Sequence, residues 1–317
     1  MELKQIMARS KSGIVDIKLG GYQPASSVHN RAAEILKIEL TDRVGDDVNF
    51  QIDGNMTLSS GIKAFDLPKL VESGNLSMCY FASSYLADRV PEVAIFDMPF
   101  VIGSRQKFYQ ALDGELGKLF EEKFLNEMGV RILAFWDNGL RHLSNRVREI
   151  RSPLDCEKLK IRSMNSEIHK EFFSLLGFEP VYIDVADLVA QVKSGEIDAQ
   201  ENPLTNTYNF GTYKYHRYIT LTGHFFGTAL LMVNESIYGG WSSEIKMAMG
   251  ESVKVATQKQ RSFAEAEDEQ ILKLLDDCDN IVTTLSPKEL EGFKTAVKPL
   301  VYLYRRTLGD HLFSLVE

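Results

Sequence analysis

Apolar positions recur along the chain in two alternating rhythms. Ile14 to Leu19 alternates with a period of two and predicts a strand, broken by Gly20-Gly21-Tyr22-Gln23-Pro24. From Val28 the rhythm changes: Ala32, Ile35, Leu36 and Leu40 fall three and four residues apart, the spacing of one helix face. Asp46-Asp47 marks a turn, Val48 to Ile52 a second strand, and Asp53-Gly54-Asn55 another turn. Ile62, Phe65, Leu67, Leu70 and Val71 predict a helix that starts or breaks at Pro68. After Gly74-Asn75, Leu76 to Phe81 reads as a third strand. Strands alternating with helices imply a mostly parallel sheet flanked by helices, an α/β fold.

The middle of the chain repeats this logic. Gly129 stops a helix and Val130 to Trp136 follows as a strand. Lys158 to Arg162 is a short strand, and Asn165 or Ser166 caps the next helix, whose buried stripe is Ile168, Phe172, Leu175 and Leu176. Asp184 to Lys193 is a further helix, stopped by Ser194-Gly195. Ser242 to Asp277 differs from everything before it: it has no proline, one glycine (Gly250) and many helix formers. As one helix it would run about 50 Å at ~1.5 Å per residue, longer than a small domain, so it is expected to cross two lobes. Its polar face reads as a solvated surface.

Length supports two lobes, because the chain has 317 residues and single cores stop growing near ~250–300 residues. No low-complexity linker or internal repeat is present, so crossing strands, not a tether, are expected to join the lobes. With 36 basic and 44 acidic residues the net charge is −8 and no basic block occurs. Nucleic acid and anionic membrane surfaces are therefore excluded as partners. No apolar run reaches the ~18 residues of a membrane span. The N-terminal MELKQIMARSKSG lacks the apolar core of a secretory signal. Either the protein is cytosolic, or a signal has been removed and a start Met supplied.

Familiar chemistry is missing. Cys79, Cys156 and Cys278 are odd in number and widely spaced, which argues against a disulfide framework or a zinc site. The six histidines include no HExxH pair, and there is no GxSxG, GxxxxGK[ST] or GxGxxG. Three segments carry a signal instead. Trp136-Asp-Asn-Gly-Leu-Arg-His142 follows a strand and is read as ending with a cation at a turn. In Lys160-Ile-Arg162 the cation lies at the carboxyl end of a strand, where open α/β sheets bind ligands. A guanidinium there offers a planar fork that matches a carboxylate. In Gly195-Glu-Ile-Asp-Ala-Gln-Glu-Asn-Pro203 polar residues crowd a strand end, and the Asn202 amide can donate to a carboxylate or accept from a hydroxyl. An ordinary surface ion pair and an Asn-Pro turn are the plainer readings of these two cases.

Lys160-Ile-Arg162 followed by Ser194-Gly-Glu-Ile-Asp-Ala-Gln-Glu-Asn-Pro203 resembles the DctP-type substrate-binding proteins of TRAP transporters. Ala94-Ile-Phe-Asp-Met-Pro-Phe100, Phe135-Trp-Asp-Asn-Gly-Leu-Arg141 and Leu221-Thr-Gly-His224 fit the same family, so the likeness covers nearly the whole chain. It implies a two-lobed, periplasmic-binding-protein-like α/β fold with a lobe-spanning long helix. Residues 1–140 plus 231–270 would form lobe I, and 141–230 plus 271–317 lobe II, with the ligand cleft between them. It implies a periplasmic, non-enzymatic receptor that closes on a small organic acid and delivers it to a TRAP membrane permease. Arg162 would clamp the ligand carboxylate, with Asn202 on the same group and Arg141 adding a second contact. The first lobe would contribute Tyr22 to His29, Ser83, Ser84 and Tyr85. Trp136, Tyr182 and His224 complete the candidate set, with Phe225 and Phe226 as further stacking surfaces. No cofactor or metal is expected, and the resemblance implies a monomer or a dimer paired through the long helix.

Two segments depart from the family pattern. Ile52-Asp-Gly-Asn-Met-Thr-Leu-Ser-Ser-Gly61 replaces a proline and a Leu-Gly pair. Val185 and Val189 stand where the family has an aromatic residue and a tyrosine, so either a bulkier ligand fits or Tyr182 fills the gap. Two alternatives stay open: an enzyme on a similar scaffold, which needs conversion of a bound acid, and a cytosolic effector sensor, which lacks here the basic helix-turn-helix of a regulator.

Overall fold

The computed structural model describes residues 13–317, so the N-terminal stretch weighed for a signal, apart from Gly13, lies outside the described residues. The first part of the chain forms β1 (Val15–Gly20), α1 (Val28–Val44), β2 (Val48–Asp53), α2 (Met56–Ser59), α3 (Leu67–Glu72), β3 (Met78–Ala82), α4 (Arg105–Leu112), α5 (Glu115–Met128) and β4 (Val130–Asn145). The middle forms β5 (Lys160–Ser163), α6 (Glu167–Leu175), β6 (Glu179–Tyr182), α7 (Val185–Ser194), β7 (Ala199–Pro203), α8 (Leu204–Asn209) and β8 (Tyr218–Asn234). The last part forms α9 (Glu235–Gly239), α10 (Ser243–Asp276), β9 (Ile281–Thr284), α11 (Pro287–Leu308) and α12 (Asp310–Ser314).

Local chemistry sets the boundaries. The Ser27 hydroxyl accepts from the Asn30 amide and starts α1, which buries Ala32, Leu36 and Leu40. Ser166, not Asn165, caps α6, and Asp184 caps α7. Gly195 ends α7 in the left-handed region (φ 80°). Pro68 falls at the start of α3, where its missing N–H costs nothing.

The nine strands run in the order β2-β1-β3-β8-β4-β7-β5-β6, with β9 on the free flank of β8. Parallel pairing holds for β1 with β2 and β3, β5 with β6 and β7, and β8 with β9. At the centre the long strands β4 and β8 are antiparallel to each other. β3 pairs with Ala229 to Val233 of β8, whereas β7 pairs with Arg141 to Asn145 of β4. The sheet thus divides into two halves joined by β4 and β8.

The rung at which the halves meet is Gly139 opposite Gly227. This corrects the turn expected at the end of Trp136 to His142: β4 continues for 16 residues and absorbs the change of direction through register shifts, one of them between Asp137 and Gly139. Gly139 has φ 89°, which only glycine adopts without strain. The backbone groups at the shift are met from α10. The Gln260 side chain accepts from the Asp137 N–H (2.8 Å) and donates to the Asp137 carbonyl (2.6 Å). Trp136 donates its indole N–H to Thr257 on the same helix (3.1 Å). α10 is a continuous 34-residue helix that packs on α1 and β4 in one half and on α8 and β9 in the other.

Gly139→Ala is expected to lower stability by about 1–3 kcal/mol, since it forces a positive φ and sets a Cβ 2.8 Å from the Pro203 Cβ. Gly250→Ala, in open space on α10, is expected to raise stability by ~0.5–1 kcal/mol. Denaturant unfolding of the two variants beside the parent chain checks both signs.

Candidate functional site

β1 and β3 in one half of the sheet, and β5 and β7 in the other, direct their carboxyl ends at a shared, narrow pocket. Its walls include Tyr22 after β1, Ala82 and Tyr85 after β3, and Arg162, Met164, Val185 and Asn202 from the second half. Asn138 and Arg141 enter from β4, Asn206 from α8, and Phe210 from the turn beyond it. Five of the sequence candidates, Tyr22, Tyr85, Arg141, Arg162 and Asn202, are therefore brought together.

Arg162 is 1% exposed. Its Nε donates to the Ile183 carbonyl (2.9 Å) and its Nη2 to the Tyr85 hydroxyl (3.3 Å). The first bond fixes the guanidinium plane, and the second reaches the other half of the sheet. Lys160 on the same strand face is exposed, so the simple alternation expected of β5 changes along its length as the pocket closes over Arg162. Among the described residues no carboxylate lies within ion-pair distance of Arg162.

Arg141 is as deeply buried but differently engaged. Its Nε and Nη2 make a side-on, two-bond ion pair with Glu201 (2.5 and 2.7 Å), and Nη2 also reaches Asn202 Oδ1 (3.2 Å). Asn202 in turn donates to Gln200 Oε1 (2.6 Å), and Gln200 donates to Ser144 (2.6 Å). The Asn202 amide orientation is thus set by a buried relay from β4 through β7. Burial would push the Glu201 carboxyl up, but Arg141, His169 and His224 together hold it well below the ordinary carboxylate range.

Residues 19–307 match the family model described as bacterial extracellular solute-binding protein, family 7. The chain belongs to that family. Among curated relatives of this family 7 protein is the 2,3-diketo-L-gulonate-binding periplasmic protein YiaO of Escherichia coli, 29% identical over 248 residues, covering 78% of this chain and 70% of that one. A TRAP periplasmic solute binding protein from Sulfurospirillum deleyianum, solved with bound succinate, superposes with a TM-score of 0.89 at 24% identity, covering 95% and 98% of the two chains. The sugar acid binding protein of Advenella mimigardefordensis, solved with galactonate, gives 0.90 at 23% identity, covering 96% of each. These likenesses establish the two-lobed fold of the family 7 protein, with its long helix.

The remaining sequence candidates of this solute-binding protein lie outside the pocket walls. His29 is stacked on Tyr80 (5.1 Å between centroids), donates from Nδ1 to the Gln23 side-chain oxygen (3.1 Å), and burial lowers its pKa to about 3. Trp136 is core, facing α10. Ser83 is buried, and Ser84 donates to Asp97 (2.8 Å). His224 lies 3.4 Å from Glu201 and shares a hydrogen bond with Thr222 (2.7 Å), behind the ion pair. Phe225 and Phe226 are buried core. Tyr182, on the edge strand β6, is 48% exposed, so Val185 faces the pocket without it. Asn206 and Phe210 carry no signal in the sequence beyond following Pro203. Glu201 was visible only as one letter of the Gln-Glu-Asn-Pro run.

Glu201→Gln is expected to cost about 3–5 kcal/mol, because it leaves the Arg141 charge buried without a counter-ion. A carboxyl held low in the folded state contributes stability above its unfolded value of about 4.3 and loses it as pH falls towards the folded value. The acid limb of a stability–pH profile is therefore expected to be shallower in Glu201→Gln than in the parent chain.

Proposed function

We propose that this chain is an extracytoplasmic receptor that closes its two lobes on a small organic acid and hands it to a TRAP-type membrane permease. The observation that supports this most is Arg162. It is a buried cation with two protein hydrogen bonds and no carboxylate partner, and it faces a pocket whose other polar groups are neutral amides and hydroxyls, apart from Arg141. The Arg141 charge is already met by Glu201. A buried guanidinium without a counter-charge is costly, and a ligand carboxylate offsets that cost through parallel hydrogen bonds. Asn202, Asn138 and Asn206, with the Tyr22 and Tyr85 hydroxyls, suit the hydroxyl or keto oxygens of such an acid. Binding acids is what the relatives bound to succinate and galactonate do.

In this reading lobe I is residues 1–140 with 231–270, lobe II is 141–230 with 271–317, and the crossing strands β4 and β8 are the hinge. The protein acts in the periplasm as a monomer, and no bond is made or broken. The pocket walls carry no nucleophile beside a base, which supports a receptor over an enzyme. No helix among the described residues is long and apolar enough to cross a membrane.

The test is a thermal-shift screen of the purified protein with succinate, D-galactonate, D-glucuronate, 2,3-diketo-L-gulonate and aromatic acids. A ligand at ~1,000 times its dissociation constant stabilises the folded state by about 4 kcal/mol. Arg162→Ala and Arg162→Lys are both expected to lose most of the shift, Lys because a point charge cannot supply the fork. A full shift in Arg162→Ala would sink the site. Recovery of the acid chemically altered would favour an enzyme.

A further inference from the structure

Asp97, His169 and Glu201 form a buried row behind the pocket. Asp97 ends a 3-10 turn, Pro91–Asp97, in the first part of the chain, His169 lies in the first turn of α6, and Glu201 is on β7. His169 Nε2 is 3.3 Å from Asp97 Oδ1, and its Nδ1 is 3.6 Å from Glu201 Oε1. The ring is wedged against Phe225 (4.5 Å between centroids) and Phe173 (6.2 Å) and has no access to water. Neither nitrogen makes a well-formed hydrogen bond among the described residues, so the two carboxylates approach the ring as ion-pair partners only. A neutral imidazole carries one N–H and would turn a lone pair towards one of the two carboxylates, whereas the imidazolium donates towards both.

The groups facing this ring come from every neighbouring element. They are Asp97, itself held by Ser84 and facing Tyr304 of α11, Glu201 of β7, itself paired with Arg141 of β4, and His224 of β8. With His169 protonated, two buried anions, Asp97 and Glu201, meet two buried cations, Arg141 and His169. With His169 neutral, one negative charge is left over beside a pocket proposed to receive an anion.

We infer that His169 is a positioning residue that, when protonated, ties Asp97 of the first lobe to Glu201 of the second, so that closure of the cleft takes up a proton. This rests on the two-lobed receptor reading above. The tie acts through Glu201 on Arg141 and Asn202, and so couples the pocket's polar wall to the distance between the lobes. Burial alone would lower the pKa of His169, but Asp97 and then Glu201 outweigh it and raise it. A group raised in the folded state contributes fully below its unfolded value of about 6.5, and the contribution is lost as pH rises through the folded value.

The experiment needs no ligand, so it stands whether or not an acid is found for Arg162. Thermal unfolding and small-angle X-ray scattering are run on the parent chain, His169→Gln and Asp97→Asn from about pH 6 to about pH 9. The parent chain is expected to be the most stable and the most compact at the acidic end, and to converge on both variants in stability and radius of gyration at the alkaline end. In ring-nitrogen NMR the His169 midpoint is expected above about 6.5 and to fall in Asp97→Asn. Should His169→Gln fail to fold, the Asp97→Asn and NMR comparisons decide. A stability difference that stays constant with pH assigns His169 a merely structural role and overturns the proposal. So does a pH-independent radius in the parent chain, or a His169 midpoint that Asp97→Asn leaves in place.

Discussion

The antiparallel pairing of β4 with β8 is the constraint on which the rest of the molecule depends. These two strands run through both halves of the sheet and most of their residues are buried, so most of their polar groups need a partner inside. Leu133, Phe135, Leu230 and Met232 meet that condition with apolar surface in the first half. Arg141, His142, Ser144 and Asn145 meet it with hydrogen bonds in the second. The change from one regime to the other falls at the Gly139–Gly227 rung. There Gln260 of α10 supplies the backbone bonds that the register shift removes. The strands keep their backbone hydrogen bonds at this place because a helix that packs on both halves, not a loop, carries them.

From that rung the electrostatics follow. Arg141 is carried into the interior by β4, and Glu201 comes alongside it because β7 pairs with β4 in the register that sets His142 opposite Asn202. A two-bond pair in a dry interior offsets most of the cost of burying both charges, and Asn202, Gln200 and Ser144 satisfy what remains. Arg162 is brought in by a different strand and meets no such partner. On the proposed reading, the contrast between two equally buried arginines, one paired with a carboxylate and one not, separates a structural cation from one that takes a ligand.

Much of this was legible in the sequence where a single period or cap decides. β1, β2, α1 and α7 follow from alternation and helical spacing. The length of α10 follows from an unbroken run of helix formers. Arg162 was legible through the Lys160-Ile-Arg162 match to the family pattern, since its position at a strand end alone reads more plainly as a surface ion pair. The full length of β4 was not, because the segment Trp136 to His142 was read as ending at a turn, and contacts from α10 to Asp137 are needed to carry the strand on. The Arg141–Glu201 pair was hidden because its partners are 60 residues apart and nothing local distinguishes a buried carboxylate from a solvated one. His29, Trp136 and Tyr182 show the limit for aromatic and imidazole side chains. The same residue types line pockets, fill cores and decorate edge strands, and the neighbours that decide among these lie elsewhere in the chain.

A chain of net charge −8 is an unpromising receptor for an anion unless its field is partitioned, and the two halves of the site divide that work. On the proposed reading the second half supplies charge, through Arg162, while Arg141 is already paired with Glu201. The first half supplies the Tyr22 and Tyr85 hydroxyls, which act only at hydrogen-bond distance. On the proposed reading an anion is therefore captured by one lobe for its charge and retained by the other for its shape. Closure then depends on how many short-range bonds the ligand offers the first lobe, since only contacts that differ between open and closed states shift that equilibrium. Val185 bears on this step. Where the side chain is small and Tyr182 stays outside, selection falls to the amides of Asn138, Asn202 and Asn206, which read oxygens by direction and not by stacking on a ring.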